Sequence, residues 1–342
     1  GVITLDPLLL TLSQGPMRVD GTLALEGEDP RFDLRVGSTG LRLQPATTAP
    51  GAETVIARGE LKIAGRWQAW TITGAATARR GGEEARLTLA GTGDDTQLRL
   101  QTLRVASPTG SLQGQGHVAW LPQLAASIDA RLAGFDPGYF FPDYPGAVNG
   151  RLVAKGQREA DGLWRAEGRL SDLGGRLRGR AISGQGNIGW QGRSGSGALT
   201  LAIGSSRLAA RGRFGDQLDL HAEFAPLDLS DLFADASGRL TGRLDVTGPR
   251  AAPTYRSDLR GTALQWGEDR AASLVAEGSL PGRGGSGRLQ LRADGLTYAG
   301  QDIEHAGLLL TGSLAALRMQ ADLAGEPGTL ALEATAAGAD GN

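Results

Sequence analysis

Residues able to do chemistry are few and scattered in this sequence. It has 342 residues, three histidines (His117, His221 and His305) and no cysteine. None of the histidines has a second histidine or a cysteine at metal-ligand spacing. Each reads as an ordinary strand or turn residue, and no metal is expected. The absence of cysteine excludes disulfides and thiolate sites without fixing a compartment. The run GQGNIG (184–189) formally satisfies G-x-G-x-x-G. It is followed by WQGRSGSG, which cannot open a helix, so no helix dipole awaits a pyrophosphate. No G-x-S-x-G, H-E-x-x-H or P-loop occurs. The adjacent acids Asp94/Asp95 and Glu83/Glu84 sit in turn-like clusters, where they read as solvated. These features predict no catalytic residue, no cofactor and no enzyme.

Charge excludes further classes. With 35 basic and 37 acidic residues the net charge is −2. Such a balance offers no field for nucleic acid or an anionic membrane surface. The basic runs ATARR (76–80) and GRLRGR (175–180) are short and read as solvated arginines of an outer face. No apolar run reaches the 18 residues of a membrane-spanning helix. The sequence opens in mid-pattern with GVITLDPLLLTL and closes on GADGN, so it is expected to be a piece of a longer chain.

What remains is alternation. Apolar residues recur at every second position, the mark of half-buried strands. Leu23 and Leu25 continue a run from Val19. Leu34 and Val36, Leu61 and Ile63, Leu87 and Leu89, and Leu98 and Leu100 follow. Ile128 and Leu132, then Val148 and Leu152, make the middle of the chain. Leu199, Leu201 and Ile203 lead to Leu218 and Leu220, then to Leu240, Leu244 and Val246. Leu289 with Leu291, and Leu308 with Leu310, come near the end. Clusters of Gly, Asp, Ser and Arg separate these runs, as in hairpins where glycine supplies positive φ. The spacing predicts on the order of 30 strands, mostly antiparallel because the links are too short for crossovers. Helix is predicted only as single turns at FDPGYFF (135–141) and LDLSDLF (227–233), with Asp136 and Asp228 as N-caps.

Those two turns belong to an internal repeat, 131–156 and 223–248, which aligns without gaps. The repeat argues for one elongated array over 1–342. Its glycines include the pair Gly150 and Gly242, read as inward-facing points where a sheet can bend. A sheet with one apolar face can close into a sandwich. It can equally curl into an open groove lined by that face. The scarcity of aromatics (5%) and the monotony of Leu, Val, Ala and Gly suit a uniform lining. Periodicity alone leaves both architectures open. The six tryptophans stand near strand ends, where they could rim a groove or pack over turns.

Three stretches carry a family likeness: LRVASPTGSLQGQGHVAW, PGAVNGRLVAKG and SGRLTGRLDVTGPRAAPTYRSDLRGTALQWGEDRAASLVAEGSL. They resemble the TamB family of Gram-negative bacteria, at what looks like the middle-to-late part of a much longer protein. The resemblance implies an elongated, curved, mostly antiparallel and repetitive β-sheet, an open β-taco-like groove with an apolar interior. It favours the groove over the closed core and makes the apolar residues above its lining. It implies a periplasmic body held in the inner membrane by an N-terminal helix absent here, and a TamA-like outer-membrane barrel as partner. The implied function is phospholipid transport between the two membranes. The alternative is a scaffold for assembling autotransporters and other outer-membrane proteins.

Overall fold

The computed structural model describes the chain apart from residues 26, 28, 44–53, 81, 140–142, 327 and 338–342. It divides into two compact units, Gly1–Gly179 and Arg180–Asn342. The first unit contains β1 (Val2–Leu12), β2 (Gly15–Ala24), β3 (Arg31–Ser38), β4 (Leu41–Leu43), β5 (Thr54–Arg66) and β6 (Ala69–Arg80). It continues with β7 (Glu83–Gly93), β8 (Gln97–Ala106), β9 (Ser111–Ala119), β10 (Ala125–Phe135), β11 (Gly146–Arg158) and β12 (Trp164–Leu177). The second unit contains β13 (Arg180–Gln191), β14 (Ser194–Ile203), β15 (Ser206–Phe214), β16 (Gln217–Asp228), β17 (Ala236–Pro249) and β18 (Thr254–Trp266). After these come β19 (Asp269–Leu280), β20 (Gly287–Tyr298), β21 (Gln301–Ser313), β22 (Ala316–Gly325) and β23 (Gly328–Ala337).

Within each unit the strands form an antiparallel meander, each paired to its sequence neighbour. The one departure is β5, which pairs β4 near its start and β3 along the rest. Among the described residues, the first strand of a unit does not pair with its last, so neither meander closes. The all-β, antiparallel character expected from the alternation is therefore what the chain adopts. Among the described residues, helix is confined to a 3₁₀ turn, Pro137–Tyr139, and one four-residue helix, α1 (Leu229–Leu232). Both expected caps are in place. The Asp228 carboxylate accepts from Ser230 N at 3.1 Å, and Asp136 accepts from Gly138 N and Gly146 N at 2.8 Å each.

The strands number 23 among the described residues, fewer than the spacing predicted. Strand length is the reason: many strands alone run 10–14 residues. β17 runs unbroken for 14 residues through Gly238, Gly242 and Gly248. At Ser194–Gly197 an apparent turn is the start of β14, and the connection shrinks to residues 192 and 193. Glycine here shapes strands instead of ending them.

Some glycines show the direction of bending. A Cβ on Gly21 in the first unit would sit 2.9 Å from Leu34 Cα, and one on Gly212 in the second unit 2.8 Å from Leu220 Cα. On the opposite face, a Cβ at Gly37 or Gly189 would meet nothing nearer than 4.0 and 3.7 Å. Neighbouring backbone crowds one side only, so at these points the sheet folds toward it. The two repeat glycines differ in this respect. Gly242 has φ +120°, and an added Cβ would overlap the Asp258 carbonyl oxygen. At Gly150 the φ is not left-handed, and a Cβ would make ordinary contacts, the nearest at 3.4 Å to Ser171 O. Gly242→Ala should therefore cost about 1–3 kcal/mol, the range for a strained left-handed residue. Gly150→Ala should stay within about 1 kcal/mol of the parent. Urea unfolding followed by circular dichroism separates the two; equal losses would contradict this reading.

Candidate functional site

Register turns the alternation into two continuous surfaces. In the second unit one cross-strand row runs Gly186, Leu199, Ala210, Ala222, Leu244, Ser257, Gly278, Leu289, Leu310, Met319, Ala334. The row beside it runs Gly184, Leu201, Leu208, Phe224, Gly242, Leu259, Ala276, Leu291, Leu308, Ala321, Leu332. Residues of one row share a face, because partners in an antiparallel pair point the same way. The alternate positions make a polar row: Arg211, His221, Asp245, Arg256, Ser279, Arg288, Thr311, Arg318, Thr335. The first unit repeats the design. Its row Leu5, Gly21, Leu34, Ile63, Ile72, Gly91, Leu100, Gly116, Ile128, Ala154, Gly168 joins every strand but β4.

The apolar residues singled out in the sequence fall on these faces. Leu23, Val36, Leu61, Leu89, Leu98 and Leu152 occupy rows adjacent to the one traced in the first unit, and Leu87 and Leu132 the row beyond. In the second unit Leu220, Leu240 and Val246 occupy rows adjacent to the traced ones, and Leu218 the row beyond. Leu25 lies beyond the end of β2 and is exposed. Val148 and Ile203 are enclosed, at 5% and 1% exposure, so they are not part of the open surface.

Much of the apolar face stays accessible. Ile188 is 54% exposed, Leu152 40% and Leu332 49%. Among the described residues, the largest fully buried side chains are Ile203, Asp231 and Ser206, and two of these are polar. A self-filled sandwich would bury its leucines instead. Between β13 and β17 the face is locally hollow. Ile188, Leu199, Phe214, Leu220, Leu244 and Val246 line a concavity of ≈ 430 Å³. Crowded glycines on the same face explain why it is the hollow one.

Both edges of this face carry aromatics. Trp190 and Phe214 lie with ring centroids 5.2 Å apart at one end of the strands; Phe233 and Trp266 lie 5.0 Å apart at the other. Trp70 and Trp120 instead pack over a turn. Their indole N–H groups donate to Asp94 O at 3.1 Å and Asp95 O at 2.6 Å. Asp94 organises that turn: hydrogen bonds from Thr96 first, then from Gln97, hold its carboxyl at about 2. Trp70 and Trp120 thus take the turn-packing role.

Enclosure occurs at one end of the strands, and the sequence did not announce it. In the first unit Ala78, Ala85, Val105 and Phe135 form a small buried cluster, with Leu41, Leu112 and Leu132 against it. In the second unit α1 folds over the turn between β14 and β15. The Asp231 carboxylate, fully buried, accepts from Ser205 N and Ser206 N at 3.1 Å and from Ser206 Oγ at 2.6 Å. Arg180 Nη1 lies 2.8 Å from its other oxygen. These partners come from positions about 25 and 51 residues away, so no local pattern could reveal them.

The histidines belong to the polar face. His117 Nε2 pairs with Gln97 Oε1 at 2.9 Å. His305 lies between Asp294 and Asp322, at 2.8 and 3.3 Å. His221 bridges Asp245 at 2.6 Å and Asp219 at 2.9 Å. Hydrogen bonds to Asp245 first and Asp219 second raise its pKa above the ordinary 6.5. The folded state thus favours imidazolium. The stabilisation is complete below about pH 6.5 and fades as pH climbs through the raised folded-state value. An NMR titration should place the His221 midpoint above 6.5, and Asp245→Asn should lower it. A midpoint at or below 6.5 in the parent would refute the bridge. GQGNIG lies wholly within β13, where no helix begins. Among the described residues, no helix is long and apolar enough to cross a membrane.

A family model described as TamB, N-terminal domain, matches residues 9–339. The match is to that family's N-terminal domain and not to the middle-to-late part that the resemblance suggested. Translocation and assembly module subunit TamB of Haemophilus influenzae is 25% identical over 207 residues, 60% of this chain. The aligned stretch spans 16% of that relative's length. No solved structure matches.

Proposed function

The chain belongs to the TamB family, and on that premise we propose that its apolar face carries phospholipid acyl chains across the periplasm, between inner and outer membranes. The observation that supports this reading most is the apolar face through every strand of the second unit, interrupted in the two traced rows only by Ser257, and hollow and accessible between β13 and β17. An acyl chain gains about 0.8 kcal/mol per buried CH₂. Repeated Leu, Ala and Gly make successive positions nearly equal, so a chain can advance without a deep trap. Headgroups stay at the strand ends, where indoles suit a boundary between apolar and wet. The chain does this work by binding alone, with no reaction, metal or cofactor. The parent protein is held in the inner membrane and meets a TamA-like barrel at the outer one.

A second reading has one observation in its favour. Among the described residues β1 pairs with β2 alone and bears exposed Val2, Leu9 and Leu12, side chains that suit pairing with another strand. The relative's name, with its "assembly module", accords with a scaffold for autotransporters and outer-membrane proteins. Photo-crosslinkers at Leu220 and at Leu9 distinguish the two. Phospholipid adducts at Leu220 are expected. Nascent-barrel adducts at Leu9, with none of lipid at Leu220, would replace transport by scaffolding.

A further inference from the structure

The surroundings of Asp231 have the chemistry of an anion-binding site. Gly204 has φ +54°, and the next two amides, Ser205 and Ser206, point at one oxygen. Successive N–H groups after a left-handed residue form a concave nest that favours anions. Ser206 Oγ adds a third donor at 2.6 Å, and the Arg180 guanidinium closes the other side at 2.8 Å. Two backbone amides, a hydroxyl and a guanidinium are the usual partners of a phosphate oxygen set. Here they surround a carboxylate of the same chain.

α1 has four residues, too few to be stable alone, and Asp231 is its one buried residue. Its carboxylate is one of its ties to the strands; Arg180 Nη2 also donates to Ser230 Oγ at 3.2 Å, and the preceding Asp228 N donates to Ser206 Oγ at 2.8 Å. Beside the nest lie Ile182, Ile203 and Leu227, all buried. Ile182 and Ile203 face each other across β13 and β14 in line with Leu201 and Leu199. The nest therefore lies beyond the end of the open apolar face, with these buried side chains between the two.

We propose that residues 204–206 with Arg180 form a binding site for a phosphate group, closed in this structure by Asp231 as an internal substitute. An anionic phosphate beyond the end of the apolar face displaces α1 and takes the place of its carboxylate. The exchange is balanced, since one anion replaces another on the same donors. The expected occupant is a phospholipid headgroup whose acyl chains lie along the apolar face; this identity rests on the transport reading, whereas the anion site does not.

The test uses the 342-residue chain and calorimetric titration with inorganic phosphate. Asp231→Ala empties the nest, so phosphate should bind it saturably and at least tenfold more tightly than it binds the parent. The double variant Asp231→Ala/Arg180→Ala should lose that gain. Should Asp231→Ala fail to fold, Asp231→Asn keeps the side chain's volume without its charge. Phosphate should then raise the melting temperature of Asp231→Asn more than that of the parent. Equal phosphate response in the parent and in whichever variant folds would overturn the proposal. Dihexanoyl phosphatidic acid separates the sources. Binding at least tenfold tighter than inorganic phosphate supports a headgroup, and equal binding refutes that assignment while leaving a free-phosphate site. If the nest binds nothing while the chain still carries phospholipid, the nest is wrong and the transport reading stands.

Discussion

Leu244→Arg is expected to abolish phospholipid carriage and leave the fold intact. Leu244 lies on the apolar row between Ala222 of β16 and Ser257 of β18 and lines the concavity. It is half-buried, so an arginine there can extend its guanidinium to water along the open face. The stability cost should be about 1 kcal/mol, within the range of ordinary partly exposed substitutions. The effect on a passing acyl chain is larger. A charge in the lining keeps its water and forces roughly five methylenes out of apolar contact as they pass. At about 0.8 kcal/mol each, that is a barrier of ~4 kcal/mol, or close to 10³-fold in rate. The control is Thr247→Arg, on the polar face three residues on, between Asp219 and Thr254. Native mass spectrometry should find phospholipid on the parent and on Thr247→Arg and none on Leu244→Arg. Complementation of envelope lipid transport should follow the same order. Full carriage by Leu244→Arg would sink the groove mechanism.

Asp231→Ala should give the largest stability loss of any single polar truncation in the second unit. It removes the acceptor for Ser205 N and Ser206 N, and the latter contact is fully buried. A buried donor left without an acceptor costs about 1–3 kcal/mol. The Arg180 ion pair adds little, because the guanidinium is 42% exposed and can rehydrate. A loss of about 3 kcal/mol follows, a large part of the ~5–15 kcal/mol that holds a domain. Hydrogen exchange should report where: the amides of Ser205, Ser206 and α1 should lose protection, while central β18–β21 amides keep theirs. Asp231→Asn, which retains an acceptor oxygen, should lose less. A cost below 1 kcal/mol for Asp231→Ala, with protection at Ser206 unchanged, would show that packing alone docks the helix.

Which parts of this molecule were legible follows from the range of the interactions involved. Strand content, antiparallel pairing and the apolar set were readable because a strand's side chains alternate with period two, a property of adjacent residues. The caps Asp136 and Asp228 were readable because a cap bonds the amide two residues on. Strand number was overestimated because the strands run longer than the spacing suggested, in places through glycine. In β17 it is held inside the ladder by two neighbours, a support that lies outside its own segment. Equivalence between Gly150 and Gly242 also failed to carry over into backbone geometry. The two residues are alike in the repeat, but only Gly242 is pressed by the partner strand's carbonyl.

By itself, then, the sequence determined that each strand has one apolar and one polar side, and that hairpins would join them in order. Tertiary structure decided which side is hollow, where it is open and where it is sealed. Those outcomes depend on how closely neighbouring backbones approach, as at Gly212 against Leu220, and on contacts such as Arg180 with Asp231. Alternation is a local property that every strand carries alone. Curvature and enclosure arise only when strands distant in sequence are brought within a few ångströms of each other.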